Sequence, residues 1–598
     1  MTRLEYELMW GADVREDGVR FRLWAPAAQN VSTVLIGGDG ERIVPMKYGG
    51  EGWYECIDPS AHAGTRYFFE IDSKDRVPDP AARFAPEGPR GPSEVIDLSK
   101  FRPNKRTKGI PAFERLVLYE LHVGTFTKSG TYAELATRLD YLSELGINAI
   151  ELMPLADWPG ERNWGYDGVL FYAPAHRYGR PEELRALIDA AHARGIAMFL
   201  DVVYNHFGPQ DNYLRRYAPQ FFTRDHATPW GEAIDYSSPH NDPVRRFVID
   251  NAAYWLRDYG FDGLRLDATQ AIFDTRKPHV LGALALSAKS DPFSTAYLVL
   301  ENDDNDVRLL TGGYDAQWND DLHHCLHVAL TGERDGYYQD YIQDPVGLLG
   351  RTLTHGFAYQ GEPSEFREGR ARGAPSGGLE LSSFVNFLQN HDQIGNRAFG
   401  DRITAIAAPE AVRAATAVLL LAPSPPMLFM GEEWGASSPF LFFCDFEPRL
   451  AKRVTEGRRN EFARFARFSD AKLRANIPDP SAEETFLRSK LDWDEPSRET
   501  HREQLELHRE LLRIRHVEID PRLHALSGRD AWYEMRGARA LFARWVLAQE
   551  SGLVLEVNLS DAPQAGFTEH ARGRLLYATH DSFAGGVAPG WSVRWSIE

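Results

Sequence analysis

The run LVLYELHV, residues 116–123, is apolar at almost every position rather than at every second one. A strand with one wet face alternates. A strand covered on both faces does not, and parallel sheets packed between helices are covered on both. INAIELMP (147–154) and IAMFLDVVYNH (196–206) read as the next two strands, and GLRLDA (263–268), AYLVLEND (296–303), GGYDAQW (312–318), SFVNFLQNHD (383–392) and PMLFMGEE (426–433) can supply strands four to eight. Helical stretches lie between most of these runs. Leu135, Leu139, Leu142 and Leu145 form one stripe. PEELRALIDAAHARG (181–195) has Pro near its start and Gly past its end. DPVRRFVIDNAAYWLRDYG (242–260) aligns Val244, Phe247, Val248, Asn251, Trp255 and Tyr259 along one side. Eight β segments with helices between them predict an α/β fold, a (β/α)8 TIM barrel.

Outward from this region the texture changes on both sides. Before it, VRFRLWAP, VSTVLIG, GWYECID and TRYFFEID alternate with glycine-marked turns. They predict an N-terminal β-sandwich domain over residues 1–100. VPDPAARFAPEGPRGP (77–92) is too rich in Pro for regular structure and reads as a connecting arm, and RPNKRTKGIP (102–111) as a second polar stretch. The barrel is expected over residues 110–525, with RETHREQLELHRELLRIRH (498–516) as its last helix. RALFARWVLA, GLVLEVNLS, GRLLYAT and WSVRWSIE then predict a C-terminal β-sheet domain over residues 530–598. Two barrel loops are long, at 204–242 and 357–380, and such loops are usually functional or disordered.

A chain of 598 residues has room for about three domains. Its 43% apolar and 26% charged content is that of a folded soluble protein. The net charge of −19 repels phosphate backbones and anionic lipid, so neither nucleic acid nor membrane is expected as a partner. A polar, uncharged substrate suits it better. Aromatics reach 12%, with 14 Trp; most must pack the core, and some suit the flat faces of sugar rings. Three scattered cysteines, Cys56, Cys325 and Cys444, fit a reducing compartment. With no signal-peptide pattern at the N-terminus and no apolar run of membrane-spanning length, the expected location is cytoplasmic.

In a barrel of this kind chemistry sits at the C-terminal ends of the strands. Five of the expected ends carry polar groups: Asp201 with Asn205 and His206; Arg265 with Asp267; Glu301 with Asp303; Asn390 with His391 and Asp392; Glu432 with Glu433. One Asp after a strand is more often a helix cap than a catalyst. Five such ends converging on one mouth make a titratable cluster, in which like charges raise a carboxyl pKa and Arg lowers one. Glycoside hydrolysis needs that split: one carboxylate at the anomeric carbon and one carboxylic acid for the leaving oxygen. Arg265 is two residues before Asp267 and shares its face of the strand. It can hold Asp267 ionised, and the same spacing also serves an interior ion pair. His206 and His391 offer donors for sugar hydroxyls. Position at the mouth nominates Trp318, Asp320, Glu433 and Trp434 for the outer rings. DDLHHCLH (320–327) lacks a recognised zinc spacing. It reads as a helix start, with Asp320 and Asp321 capping it or facing the mouth. GAPSGGLE (373–380) reads as a loop, since no GK[ST] follows it.

These strand ends resemble the four signature regions of the α-amylase family of glycoside hydrolases, family 13. DVVYNH resembles region one, GLRLDA region two, LVLEND region three and VNFLQNHDQ region four. The resemblance spans about residues 110–598 and implies a retaining enzyme. By it Asp267 is the nucleophile, Glu301 the general acid/base and Asp392 the stabiliser of the strained sugar. Arg265, His206 and His391 would hold that sugar, with Tyr166 stacked beneath it. Retention implies Asp267 and Glu301 carboxyls about 5–5.5 Å apart. The N-terminal module resembles the carbohydrate-binding-like sandwich of branching and debranching members.

NWGYDGVLFYAP, NHFGPQDNYL, QWNDDLHHCLHVALTGE, FVNFLQNHDQIGNRAFGDR and MGEEWGASSPFLFFCDFEP resemble most the members that release trehalose from trehalose-capped α-1,4-glucans. The implied substrate is malto-oligosyltrehalose, and the implied functional partner is a malto-oligosyltrehalose synthase. Branching enzymes usually carry a Ser-His-Asp-Glu type fourth region where this chain has Asn390-His391-Asp392-Gln393. Branching or debranching activity is the alternative within the family. A glucan-binding scaffold without chemistry is the alternative outside it, against which stand three intact carboxylates. Asn205 matches a calcium ligand of many amylases, but no carboxylate cluster accompanies it. No metal and no cofactor are expected.

Overall fold

The computed structural model describes residues 8–38, 40–101, 109–228, 230–290, 296–464, 470–580 and 582–598. Eight strands close into a barrel: β1 Leu118–Leu121, β2 Ala149–Leu152, β3 Ala197–Val202, β4 Gly263–Leu266, β5 Tyr297–Leu300, β6 Ala316–Trp318, β7 Phe384–Phe387 and β8 Pro426–Phe429. Neighbours follow chain order, every pair is parallel, and β8 returns to β1 with Met427 opposite Leu118. Nearly every strand residue is buried, which is why the runs do not alternate.

The helices form where their apolar stripes predict them, except that the Leu135–Leu145 stripe is divided between two, Tyr132–Ala136 and Leu139–Leu145. Pro181–Arg194 begins on its proline and ends at Gly195, whose φ of +80° a side chain would strain. Asp242–Tyr254 continues into one π-turn, Trp255–Tyr259, and stops at left-handed Gly260. Glu499–Ile514 closes the set.

Before the barrel, two antiparallel sheets face each other. One is ordered Asp13–Arg15, Gly18–Trp24, Trp53–Asp58, Lys47–Gly50. The other is ordered Gly40–Pro45, Val31–Gly37, Arg66–Ile71, Asp75–Val77. After the barrel, one antiparallel sheet runs Ala531–Met535, Ala540–Val546, Gly552–Asn558, Ser592–Ile597, Arg574–Ala578.

The stretch after Val77 up to Pro92 is irregular, as its prolines predict, and most of it is buried. Ala82 and Ala85 pack on Val169, Leu170 and Ala173. Arg83 lies between the rings of Tyr172 and Tyr254, at 4.9 and 5.0 Å, and donates to the carbonyls of Ala81 and Trp10. Proline has no N–H to orphan, so a proline-rich backbone buries at low cost. Residues 102–108 of the second polar stretch lie outside the described residues. The loop 204–242 holds a short helix, Leu214–Tyr217, and a hairpin, Phe222–Thr228 with Gly231–Ile234. Among the described residues no helix is long and apolar enough to cross a membrane.

Candidate active site

Arg265 organises the mouth of the barrel. Its Nη1 donates to Asp201 (2.6 Å) and to Asp267 (3.0 Å), and its Nη2 lies 2.7 Å from Glu301 Oε2. One guanidinium therefore draws together the ends of β3, β4 and β5. Asp267 also accepts from Asn205 Nδ2 (2.8 Å). Glu301 accepts the main-chain N–H of Ala268 (2.8 Å). Ala268 is held at φ +40°, a conformation disfavoured for a residue with a Cβ, and this turn aims its N–H at Glu301.

A second chain of contacts joins the other strand ends. Tyr166 Oη donates to Asp201 (2.7 Å) and lies 2.9 Å from His391 Nε2, with the two rings stacked at 5.2 Å. His391 Nδ1 faces Glu120 on β1 at 2.5 Å. Asn390 caps the turn that follows β7, accepting the N–H of Asp392 (2.9 Å). Asp392 Oδ1 then lies 3.5 Å from His391 Nε2 and accepts from Asn396 (2.8 Å). His206 donates from Nε2 to the Tyr166 carbonyl (3.1 Å), and its ring stacks on Trp230.

Asp267, Glu301, Asp392, Tyr166, His206 and His391 all line one cleft of about 630 Å³. Its walls add Trp164, Trp230, Tyr337, Phe366 and Phe442, and the cations Arg397 and Arg458. Sequence reading nominated none of these wall residues. Trp230 and Phe366 stand in the two long loops, and a large exposed aromatic in a polar loop was the available signal.

Burial, opposed by Arg265 and reinforced by Asp267 and Asp392, raises the Glu301 carboxyl to about 7. Burial also raises Asp267, against the pull of Arg265 and the Asn205 hydrogen bond. The two titrate as a pair around one guanidinium. Burial lowers His206 to about 4, so it is neutral at pH 7. Burial would lower His391 too, but Glu120 and Asp392 outweigh it and hold His391 at about 9.

Four nominated mouth residues need correction or refinement. Trp318 is 1% exposed and touches no open space. Its ring lies 4.0 Å under the Arg265 guanidinium, a flat, weakly hydrated cation that stacks well on an aromatic face. Glu433 is fully buried and accepts from Tyr119 and Tyr141. Trp434 is buried beside it, its Nε1 3.3 Å from Glu495. The chain turns at Gly431, φ +80°, and folds both side chains back into the barrel wall. Asp320 does stay beside the site, 3.5 Å from Gln393 Nε2, and burial with the charges of Glu301 and Asp303 raises its carboxyl.

Asp320 and Asp321 open the helix Asp320–Thr331 without capping it. Asp321 instead accepts from the Ala358 N–H and pairs with Arg372, anchoring the loop 357–380. Two of the three imidazoles of this helix are spent on protein partners, His323 on Leu388 O and Tyr338 and His327 on Glu333, while His324 packs against Tyr337 and Tyr341. Among the described residues no group of three or more His, Cys, Asp or Glu side chains could hold a metal ion.

Known proteins resemble this chain over most of its length. The alpha amylase catalytic domain matches residues 104–239 and carbohydrate-binding module 48, the isoamylase N-terminal domain, matches residues 9–85. A domain family of unknown function matches residues 528–595. The barrel and its acid cluster define a glycoside hydrolase of the α-amylase class. The malto-oligosyltrehalose trehalohydrolase of Deinococcus radiodurans is 44% identical over 93% of this chain and 92% of its own length. That of Rhizobium sp. is 40% identical over 94% of each. A Salmonella typhimurium crystal structure superposes with a TM-score of 0.92 at 40% identity, over 99% of this chain and 100% of the other. The chain belongs to the malto-oligosyltrehalose trehalohydrolase family.

Proposed function

We propose that the chain hydrolyses the α-1,4 bond next to the terminal trehalose of malto-oligosyltrehalose, releasing trehalose and a malto-oligosaccharide with retention. Asp267 attacks the anomeric carbon and forms a glycosyl-enzyme ester. Glu301 gives its proton to the leaving oxygen, then takes one from the water that cleaves the ester. Asp392 meets the hydroxyls of the distorted sugar, while Tyr166, His206 and His391 enclose it. Arg265 favours the charged form of Asp267; it pulls on Glu301 as well, but burial outweighs that pull and leaves Glu301 its proton up to about pH 7.

The observation that carries this reading is that Arg265 joins Asp201, Asp267 and Glu301 at the cleft that Asp392 also lines. A glucan-binding scaffold has no use for a buried carboxyl poised near neutrality. A malto-oligosyltrehalose synthase would supply the substrate. The free cysteines Cys56, Cys325 and Cys444 suit a cytoplasmic setting. The test compares maltoheptaose with its trehalosyl-capped analogue. Trehalose should appear from the capped chain, with much faster turnover than on maltoheptaose. Equal rates, or no trehalose, would overturn the assignment. New or cleaved α-1,6 links would favour branching or debranching.

A further inference from the structure

Glu120 has no task in the reaction just described, yet it is buried directly under His391. Its Oε2 accepts the main-chain N–H of His391 (3.0 Å) and its Oε1 faces Nδ1 (2.5 Å). Across the ring, Nε2 lies 2.9 Å from Tyr166 Oη. Tyr166 has a single O–H and donates it to Asp201, a carboxylate already paired with Arg265. Toward His391 the phenol can then only accept, so Nε2 carries a hydrogen. Nδ1, facing a carboxylate, carries the second.

We propose that Glu120 is a positioning residue that fixes His391 as a doubly protonated imidazolium beside Asp392 and Tyr166. This rests on the cleft being the cleavage site, since that makes His391 a neighbour of the reacting sugar. A lasting cation there sets a fixed positive charge 3.5 Å from Asp392 Oδ1 and locks the Tyr166 ring in place.

A second acid sharpens the arrangement. Glu151 stands opposite Glu120 in the β1–β2 register, 1% exposed, with neither oxygen hydrogen-bonded among the described residues. Adjacent buried carboxylates do not both ionise against one imidazolium. Glu151, which lacks donors, keeps its proton; burial and then Glu120 and Asp201 raise it far above the usual range. The groups facing the imidazole are Glu120 from β1, Glu151 from β2, Asp201 from β3, Arg265 from β4, Tyr166, His122 after β1, and Asp392 on its own turn. Arg265 opposes the charge, and His122, lowered by burial to about 3, is neutral.

Histidine-labelled protein, with His391 assigned by the signal lost in His391→Asn, reads the imidazole state directly by NMR. In the unmodified protein His391 should show the imidazolium signature at about pH 8, well above the ordinary histidine range. In Glu120→Gln it should be neutral there. Relative to the unmodified enzyme, trehalose release by Glu120→Gln should fall roughly tenfold further at about pH 7.5 than at about pH 5.5. Glu120→Asp should restore the profile, and Glu151→Gln, a neutral replacement for a neutral acid, should leave it in place. A neutral His391 in the unmodified protein at pH 8 overturns the proposal even if no variant folds. So does a Glu120→Gln loss that is uniform across pH with the His391 signal unchanged, or a Glu151→Gln shift as large as that of Glu120→Gln. The NMR reading needs no turnover, so an absence of trehalose release would overturn the function while leaving this result legible.

Discussion

At Glu301 burial works against the fold and for the reaction. The folded carboxyl binds its proton more tightly than the unfolded one, about 7 against 4.5. The acid form needed for the leaving oxygen is present below about pH 7 and lost above it. We therefore expect kcat/KM to fall about tenfold per pH unit on the alkaline side, with its midpoint near 7. The same shift sets a stability trend. A raised carboxyl pKa leaves stability intact below about 4.5 and erodes it as pH rises to about 7, by on the order of 2–3 kcal/mol. Glu301→Gln should thus lose most activity yet melt higher than the unmodified protein at pH 8, and no higher at pH 4. An unchanged or lower melting point at pH 8 would contradict the assigned shift. Asp267→Ala should cut turnover on the order of 10⁴-fold or more while circular dichroism stays unchanged. At this scale the sequence was legible wherever two residues share one strand. Arg265 and Asp267 needed only the period of two. Trp318, Glu433 and Trp434 were misread, because the direction of a side chain at or past a strand end depends on the turn that follows.

Elements are legible where burial leaves a period and obscure where a loop makes its own structure. All eight barrel strands fall within the β segments read from the sequence, and the helix Pro181–Arg194 announced both its ends. The hairpin that carries Trp230 was hidden, since its strands are short, polar and set by packing over the cleft. One short element has leverage beyond its size. The turn His391–Gly395 is a single helical turn and cannot hold itself. Asn390 holds it by a capping box, accepting from Asp392 and Gln393 while Gln393 Oε1 accepts the Asn390 N–H at 3.0 Å. Asn390→Ala should cost about 1 kcal/mol of stability, the usual worth of such a cap. Its effect on kcat should be larger than that modest loss implies, because Asp392 loses its anchor. Asn390→Asp, which can still accept, should recover most of both. If kcat falls no further than stability predicts, Asp392 is held by other contacts.

Across the whole molecule the aromatic content is spent on joining layers. Trp10, which precedes the first strand, packs edge-on against Trp53 of the first sheet, and against Phe247 on a barrel helix at 4.9 Å. Trp595 of the last sheet donates to Ala417 on another barrel helix (3.0 Å). Arg515 donates to the carbonyls of Leu420 and Ala422, filling the acceptors left open where that helix ends. One continuous buried cluster runs from Trp10 to Ile597. The sequence could mark two changes of texture, but no single stretch encodes a seam made by residues hundreds of positions apart. A seam this apolar and this well hydrogen-bonded should make the parts unfold together. Calorimetry should therefore give one transition in place of separate ones for sandwich, barrel and last sheet. Arg83 is the sharpest probe. Arg83→Ala orphans the carbonyls of Trp10 and Ala81 and empties the slot between Tyr172 and Tyr254, at a cost of about 2–4 kcal/mol. Because that slot lies on the barrel's own surface, the loss should lower the single melting transition of the whole chain. A variant whose melting splits in two, with the barrel's share unmoved, would show that the sandwich is only tethered.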